Sequence, residues 1–514
     1  MTEAFDILVI GSGPAGAAAA ARLAADTKAS ICVLEAGGDA IGWRGRLPMW
    51  QAAPDCKDAL DWGRASSPQA GLGGRSVAIA LGRGLGGSDL LAPPLWQRGA
   101  PNDFDRWTLP DWNWAALLPS LRDAEGRLRP TAAASPHGLS NAFAQTEGAP
   151  AEPPEPDRTG LGLLPQTIAN GRRLLVSDMY LAPLIASGRV SIASDTRVAR
   201  VLFSRWRAAG VELVDGRRLR ARGGVVLCAG AVETPAILLR SGVGPSDRLR
   251  ALGIQVAADA PQVGENLQVR PMMTAVHLGP HGGAGYDWRQ MLKWLGAAAV
   301  WGMGGDGPLG LGLTEAGGFL RAGVGSGPPD IELRLRLAQP AWPSGSVFAR
   351  PGLTLEARIC RPRSVGRVGL AGVDPRLSPR IDPALMAHED DRALMRVALR
   401  RMRGLIDREE FDGWRDAESV PGRRVSSEEA LAEAVARRVT SSGEMAGSCH
   451  MGVGESAPVD PQMRVRGIEG AWVCDSSVLP TLPSAGMRVA ATAAGWHGAG
   501  LIALQLQHDL RDAA

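Results

Sequence analysis

Residues 5–35 read FDILVIGSGPAGAAAAARLAADTKASICVLE, and this stretch decides the fold. Phe5–Ile10 is short, apolar and β-branched, the composition of a buried strand. Gly11-Ser12-Gly13-Pro14-Ala15-Gly16 follows without a spacer. An alanine-rich helical run comes next, then a second strand at Ser30–Leu34 that ends on Glu35. Strand, GxGxxG turn, helix and strand make a βαβ unit. Gly11 permits the tight turn, Gly13 lets the backbone approach a pyrophosphate, and Gly16 lets helix and strand pack closely. The pyrophosphate would rest on the helix N-terminus, where free N–H groups and the dipole favour anions. Glu35 lies nineteen residues past Gly16, where a carboxylate can accept hydrogen bonds from an adenosine ribose. The reading is a dinucleotide site.

Outside this unit the totals set limits. A chain of 514 residues is long enough for two or more domains. Its 45% apolar and 21% charged fractions are those of a globular protein. Net charge is +3, and arginines are interspersed with acids, so nucleic-acid binding has no basic block to rest on. The cysteines at 32, 56, 228, 360, 449 and 474 show neither zinc spacing nor a CxxC pair, and no metal site is expected. Cys32 and Cys228 sit in strand-like runs and read as buried thiols. The acidic start MTEAFD is unlike a secretory leader, and no apolar run approaches the roughly 20 residues of a membrane span. A cytoplasmic location is expected.

Along the chain, Leu81–Gly99 opens with GRGLGG, backbone freedom where the chain must run against a flat or phosphorylated ligand. Residues 130–165, rich in Pro, Ala, Gly and Ser, read as a surface excursion or an interdomain loop. Strands are predicted at Val190–Ala193, Val198–Phe203 and Gly223–Leu227, and a helix capped by Thr234 and opened by Pro235. Asp330–Leu337, DIELRLRL, alternates, which predicts an antiparallel strand with one polar, uncovered face. A helix near Asp390–Ile406, a strand at Gly470–Cys474 and a long small-residue helix from about Arg488 to Gln507 complete the reading.

These pieces resemble the glucose–methanol–choline (GMC) oxidoreductases, FAD enzymes that mostly oxidise alcohols. The resemblance rests on Gly11–Gly16 with Glu35, GRGLGGS at 82–88, Gly230–Pro245, RPRSVGRVGL at 361–370, GSCHMG at 447–452 and VDPQMRVRGIEGAWVCDSSVLPTL at 459–482. It implies an α/β, Rossmann-like FAD-binding domain of GMC type. With it comes an α+β substrate domain built on an antiparallel sheet. The implied division is 1–150 (with a covering segment at 40–75), 186–274 and 441–514 for the FAD domain. An interdomain excursion at 151–185 and a substrate domain at 275–440 make up the rest. It also implies roles. Gly11, Ser12, Gly13, Pro14, Ala15, Gly16, Glu35 and Ala36 would hold the ADP half. Arg83, Gly86, Gly87 and Ser88 would line the pyrophosphate and ribityl region. Val198 would meet the adenine, and Ala229, Gly230, Asp475, Ser476 and Met487 would complete the cradle. The N-terminus of the last helix would face the flavin pyrimidine, where its dipole favours the charge that reduction adds.

The chemistry departs from the family pattern. The usual histidine base falls on Glu444 and its partner on Gly486, while Asp89 and Ala92 replace a small residue and an asparagine. Three readings follow. Glu444 could act as base if burial raises its pKa; otherwise it is a spectator, paired with Arg488. The fold could instead serve another reaction, as in the fatty acid photodecarboxylases, whose cysteine-containing segment Cys360-Arg361-Pro362 resembles. Or the site has decayed around a structural FAD. The expected reaction is hydride transfer from an alcohol or similar C–H to flavin N5. Glu444, Gly486, Arg488 and Cys360 would line the pocket, and Arg488 is a candidate for a substrate carboxylate or an anionic flavin. FAD is expected to be non-covalent, the substrate small and organic, and the acceptor oxygen, a quinone or a carrier protein.

Overall fold

A computed structural model of the chain describes residues 4–38, 42–48, 60–148, 150, 152–279, 291–303, 308–323, 327–338 and 352–512. Cys56, Trp50 and part of the covering segment lie outside them. Apolar strands and alanine-rich helices sort the chain into two cores, one on each of two seven-stranded sheets.

The first sheet runs in the order Val190–Ala193, Ile31–Leu34, Ala4–Ile10, Arg218–Leu227, Arg207–Leu213, Val198–Ser204. Ala471–Val473 also pairs with Arg218–Leu227. The four strands at the start of that order and Ala471–Val473 pair in parallel, as a βαβ crossover requires, and Arg207–Leu213 pairs antiparallel with both its neighbours. Val225, Val226 and Leu227 are fully buried because both faces are covered. Helix Pro14–Asp26 packs against the last helix, Met487–Asp512, through small residues. A Cβ on Gly495 would stand 2.2 Å from the Ala15 carbonyl oxygen, so the approach needs glycine there.

The second sheet is antiparallel: Glu418–Val420, Gln268–Leu278, Gly352–Ile359, Ile331–Arg336, Thr314–Leu320, Gly160–Leu163, with Thr440–Ala446 also on Gln268–Leu278. Helix Glu389–Ile406 covers one side with Met395, Leu399, Met402 and Ile406.

Four expectations need correction. The alternation in Asp330–Leu337 gives a strand, Ile331–Arg336, but its polar face is not solvated: Glu332 and Arg334 are buried. Their charges pair with each other and with neighbouring strands, so the polar stripe is internal. Residues 130–165 are a surface excursion only in part. Helix Gly138–Gln145 packs Phe143 against Phe411, and Gly160–Leu163 is an edge strand of the second sheet. That sheet also takes in Gln268 and Thr440–Ala446, beyond the 275–440 span. The helix around Pro235 starts at Gly230, four residues before Thr234. Thr234 is no cap; its hydroxyl accepts from the Ala229 N–H and donates to Asp475.

Candidate active site

The Gly11–Gly16 turn separates two kinds of glycine. Gly11 has φ +103°, and a Cβ there would lie 2.5 Å from the Cys228 carbonyl oxygen; a Cβ on Gly16 would lie 2.0 Å from the Gly11 oxygen. The fold itself demands both. A Cβ on Gly13 would meet nothing nearer than Gly87 Cα at 3.9 Å, and its φ of −61° suits any residue. Only a ligand lying on the turn needs Gly13 bare. Gly13→Ala is therefore expected to leave the thermal stability of the apoprotein unchanged and to raise the FAD Kd at least tenfold, about 1.4 kcal/mol. Isothermal titration of both apoproteins checks this.

Glu35 is buried on the same wall. It accepts from Ser12 N (3.0 Å), Ser12 Oγ (2.5 Å), Gly37 N (3.0 Å) and Gly84 N (3.1 Å). Burial raises its pKa, and these donors oppose the rise. The carboxylate thus staples the two glycine-rich turns together. Arg83 and Gly86 act behind the wall rather than on it: Arg83 stacks over Trp62, and Gly86 N donates to Ser12 Oγ. Asp475, also raised by burial, accepts from Gly230 N (2.7 Å), Thr234 Oγ1 (2.6 Å) and Ser477 N (2.8 Å).

One continuous cavity joins these groups to the positions where chemistry is expected. Its wall includes Gly11 to Ala15, Glu35, Ala36, Gly87, Ser88, Val198, Ala229, Gly230, Asp475, Ser476, Gly486, Met487 and Arg488. It continues to Glu444, Arg334, Arg358 and Gln97. Two helix N-termini, at Pro14 and Met487, open onto it, and each favours negative charge. A long cavity with bare glycine at one end and helix N-termini at two points fits a dinucleotide flavin.

Glu444 is not a carboxyl with a raised pKa. It stands at the centre of three arginines. Arg270 Nε donates to its Oε2, and Arg334 Nη2 and Arg358 Nη1 each lie 3.9 Å from Oε1. Burial alone would raise the pKa. The charges of Arg270, Arg358 and Arg334, with the hydrogen bond from Arg270, outweigh it and hold the carboxyl well below the usual range. Nor is Glu444 paired with Arg488. Arg488 Nε meets Asp89 Oδ1 at 2.6 Å, and its remaining donors reach Thr167 Oγ1 (2.7 Å) and the Leu174 carbonyl (2.7 Å). The departure at Asp89 is answered by Arg488.

Gly486 has φ +65°, and a Cβ there would stand 1.6 Å from the Gln97 carbonyl oxygen. The partner position has no side chain and no room for one. Cys360 is fully buried against Phe319 and Ala485 and is not on the cavity wall; its thiol pKa is pushed up by burial. None of the described histidines is on the wall.

Sequence reasoning missed Arg270, Arg334, Arg358 and Gln97. The signal was present as charged residues at alternate positions in otherwise apolar strands, Glu332/Arg334 and Glu356/Arg358. Such spacing puts both members on one face, but not whether that face meets water or another domain.

Residues 5–272 and 362–495 match the two GMC oxidoreductase family models, and the chain belongs to that family of FAD-binding oxidoreductases. It is 31% identical over 502 residues to an oxygen-dependent choline dehydrogenase of Rhizobium etli, covering 92% of this chain and 91% of that one. A namesake from Pectobacterium carotovorum subsp. carotovorum is 32% identical over 507 residues, with 93% and 91% covered. Among solved structures, pyridoxine 4-oxidase from Mesorbium loti aligns with a TM-score of 0.84 at 28% identity, over 96% and 98% of the two chains. A formate oxidase shares the fold with a TM-score of 0.90 at 23% identity, over 98% and 99%. No described helix is long and apolar enough to cross a membrane, and no described cluster of His, Cys, Asp and Glu could hold a metal.

Proposed function

We propose that this chain oxidises the CH–OH carbon of a small organic molecule with non-covalent FAD and without a histidine base. The observation that carries the reading is the single cavity from the Gly11 turn to Glu444, Arg334 and Arg358. The names of the similar proteins, a choline dehydrogenase and a pyridoxine oxidase, support a CH–OH donor.

FAD, when bound, supplies a hydride acceptor at N5. The glycine turns and the first helix N-terminus would hold its pyrophosphate, Val198 its adenine, and Asp475 the ribityl region. Within the cavity Glu444 accepts the hydrogen bond of the substrate hydroxyl and orients it. Held below the usual carboxylate range, it passes the proton on to solvent rather than keeping it. Arg334 and Arg358 face the same Oε1 and favour the negative charge that develops on the substrate oxygen. The N-terminus of the last helix favours the charge delivered to the cofactor.

The test is anaerobic mixing of the holoprotein with CH–OH donors, followed at the flavin maximum. Bleaching is expected. Its rate should be flat from about pH 5 to pH 9. Glu444 stays ionised throughout that window, and no histidine on the wall titrates near its ordinary value of about 6.5. A rate limb centred near pH 6.5 would return the base role to a histidine.

A further inference from the structure

The cavity wall around Glu444 presents more donors than acceptors. Arg334 and Arg358 lie on it, while the acids they pair with, Glu332 and Glu356, do not. Arg334 spends Nε on Glu332 (2.6 Å) and Nη2 on Gln97 Oε1 (3.3 Å). Arg358 spends Nη2 on Glu356 (2.9 Å), and its Nε has no partner. Gln97 is 5% exposed and its Nε2 has no partner either. A buried amide or guanidinium nitrogen without an acceptor is costly, about 1–3 kcal/mol. Glu444 offers the one carboxylate on this part of the wall, and Arg270 already neutralises it.

We infer that Arg334, Arg358 and Gln97 form a carboxylate subsite, which makes the substrate a small 2-hydroxy acid. The inference rests on the hydride-transfer reading for its hydroxyl but not for its carboxylate. The span fixes the class. Both guanidinium groups lie 3.9 Å from the Glu444 oxygen that receives the hydroxyl, a separation that suits a hydroxyl and a carboxylate attached to one carbon. Planar guanidinium forks match carboxylate oxygens. With the carboxylate so held, the C2–H bond breaks and its electron pair goes as hydride to the flavin. The C2–O bond becomes a carbonyl, and the hydroxyl proton leaves by Glu444 to solvent. The product is a 2-oxo acid, and the two electrons rest on the flavin.

The experiment uses holoprotein, anaerobic and in the dark, with three probes of one carbon skeleton: lactate, propane-1,2-diol and propanoate. Propanoate should perturb the flavin spectrum saturably, lactate should bleach it, and the diol should bind at least tenfold more weakly than propanoate. Arg358→Gln leaves Glu356 buried without its partner and could fail to fold. Gln97→Leu breaks no ion pair, removes only one acceptor from Arg334 and carries the test: the propanoate Kd should rise about tenfold with FAD still bound and the melting temperature lowered by no more than a few degrees. Equal binding of diol and propanoate, or an unchanged Kd in Gln97→Leu, overturns the subsite. Propanoate binding without bleaching by lactate keeps the subsite and sinks the hydride reading. Bleaching by the diol with no propanoate response does the reverse.

Discussion

Arg270→Met is expected to destabilise the protein by about 4 kcal/mol, read as a fall in the urea midpoint with little change in slope. Arg270 is fully buried at the joint between the two sheets. It begins in the strand Gln268–Leu278 and donates to Glu444, to the carbonyls of Ile359 (3.0 Å), Cys360 (2.8 Å) and Ser484 (3.0 Å), and to that of Pro483. Two of those carbonyls lie in the segment that leads into Gly486 and the last helix. Asp103 holds the same segment from the other side through Ser484 N (2.7 Å). Methionine fills the volume but withdraws the hydrogen bonds to four carbonyls and a carboxylate.

The same variant should change the pH profile. With Arg270 gone, burial of Glu444 is less opposed, and its pKa moves back up. The flavin reduction rate should then fall on the acid side, where the wild type is flat. The sign for stability follows. In the wild type the folded pKa of Glu444 is depressed, so its stabilisation is full above the unfolded value of about 4.3 and is lost as pH falls toward the folded value. The stability gap between wild type and variant is therefore widest at neutral pH and narrows below about pH 4. A gap that is constant from pH 7 to pH 3 would show that the charge of Arg270 is not what holds Glu444 ionised.

The second large effect is a coupling. Asp89→Asn and Arg488→Met should each cost about 3 kcal/mol, and the double variant less than the sum by about 2 kcal/mol or more. Both side chains are buried, at 1% and 7% exposed, and each single change leaves the other charge without its counter-ion. Asp89 also accepts from Val176 N (2.9 Å), and Arg488 stacks over Trp96. Because Met487 and Arg488 begin the last helix and lie on the cavity wall, the single variants should also lose FAD more readily. The Michaelis constant for substrate should not move, since the donors of Arg488 are already engaged. A rise in that constant with stability intact would restore Arg488 as a substrate ligand. Additive effects on stability would show that the two residues are not energetically coupled.

What is local was legible in the chain. A β-branched run, a glycine turn, an alanine helix and a terminal acid can be read as one unit because each constraint acts within about thirty residues. The antiparallel second sheet was legible too, since alternation records a two-faced strand. The family resemblance, not local pattern, implied that Glu444 and Gly486 stand where a histidine and its partner are usual. It could not show what they face. Whether the polar side of Ile331–Arg336 meets water or a second domain depends on contacts between strands far apart in the chain. So does the sign of the shift on Glu444. Burial and three arginines, at 270, 334 and 358, pull in opposite directions, and only their distances decide which wins. The pairing of Asp89 with Arg488, 399 residues apart, is of the same kind. Electrostatics depends on separation in space, and only the tertiary structure sets that separation.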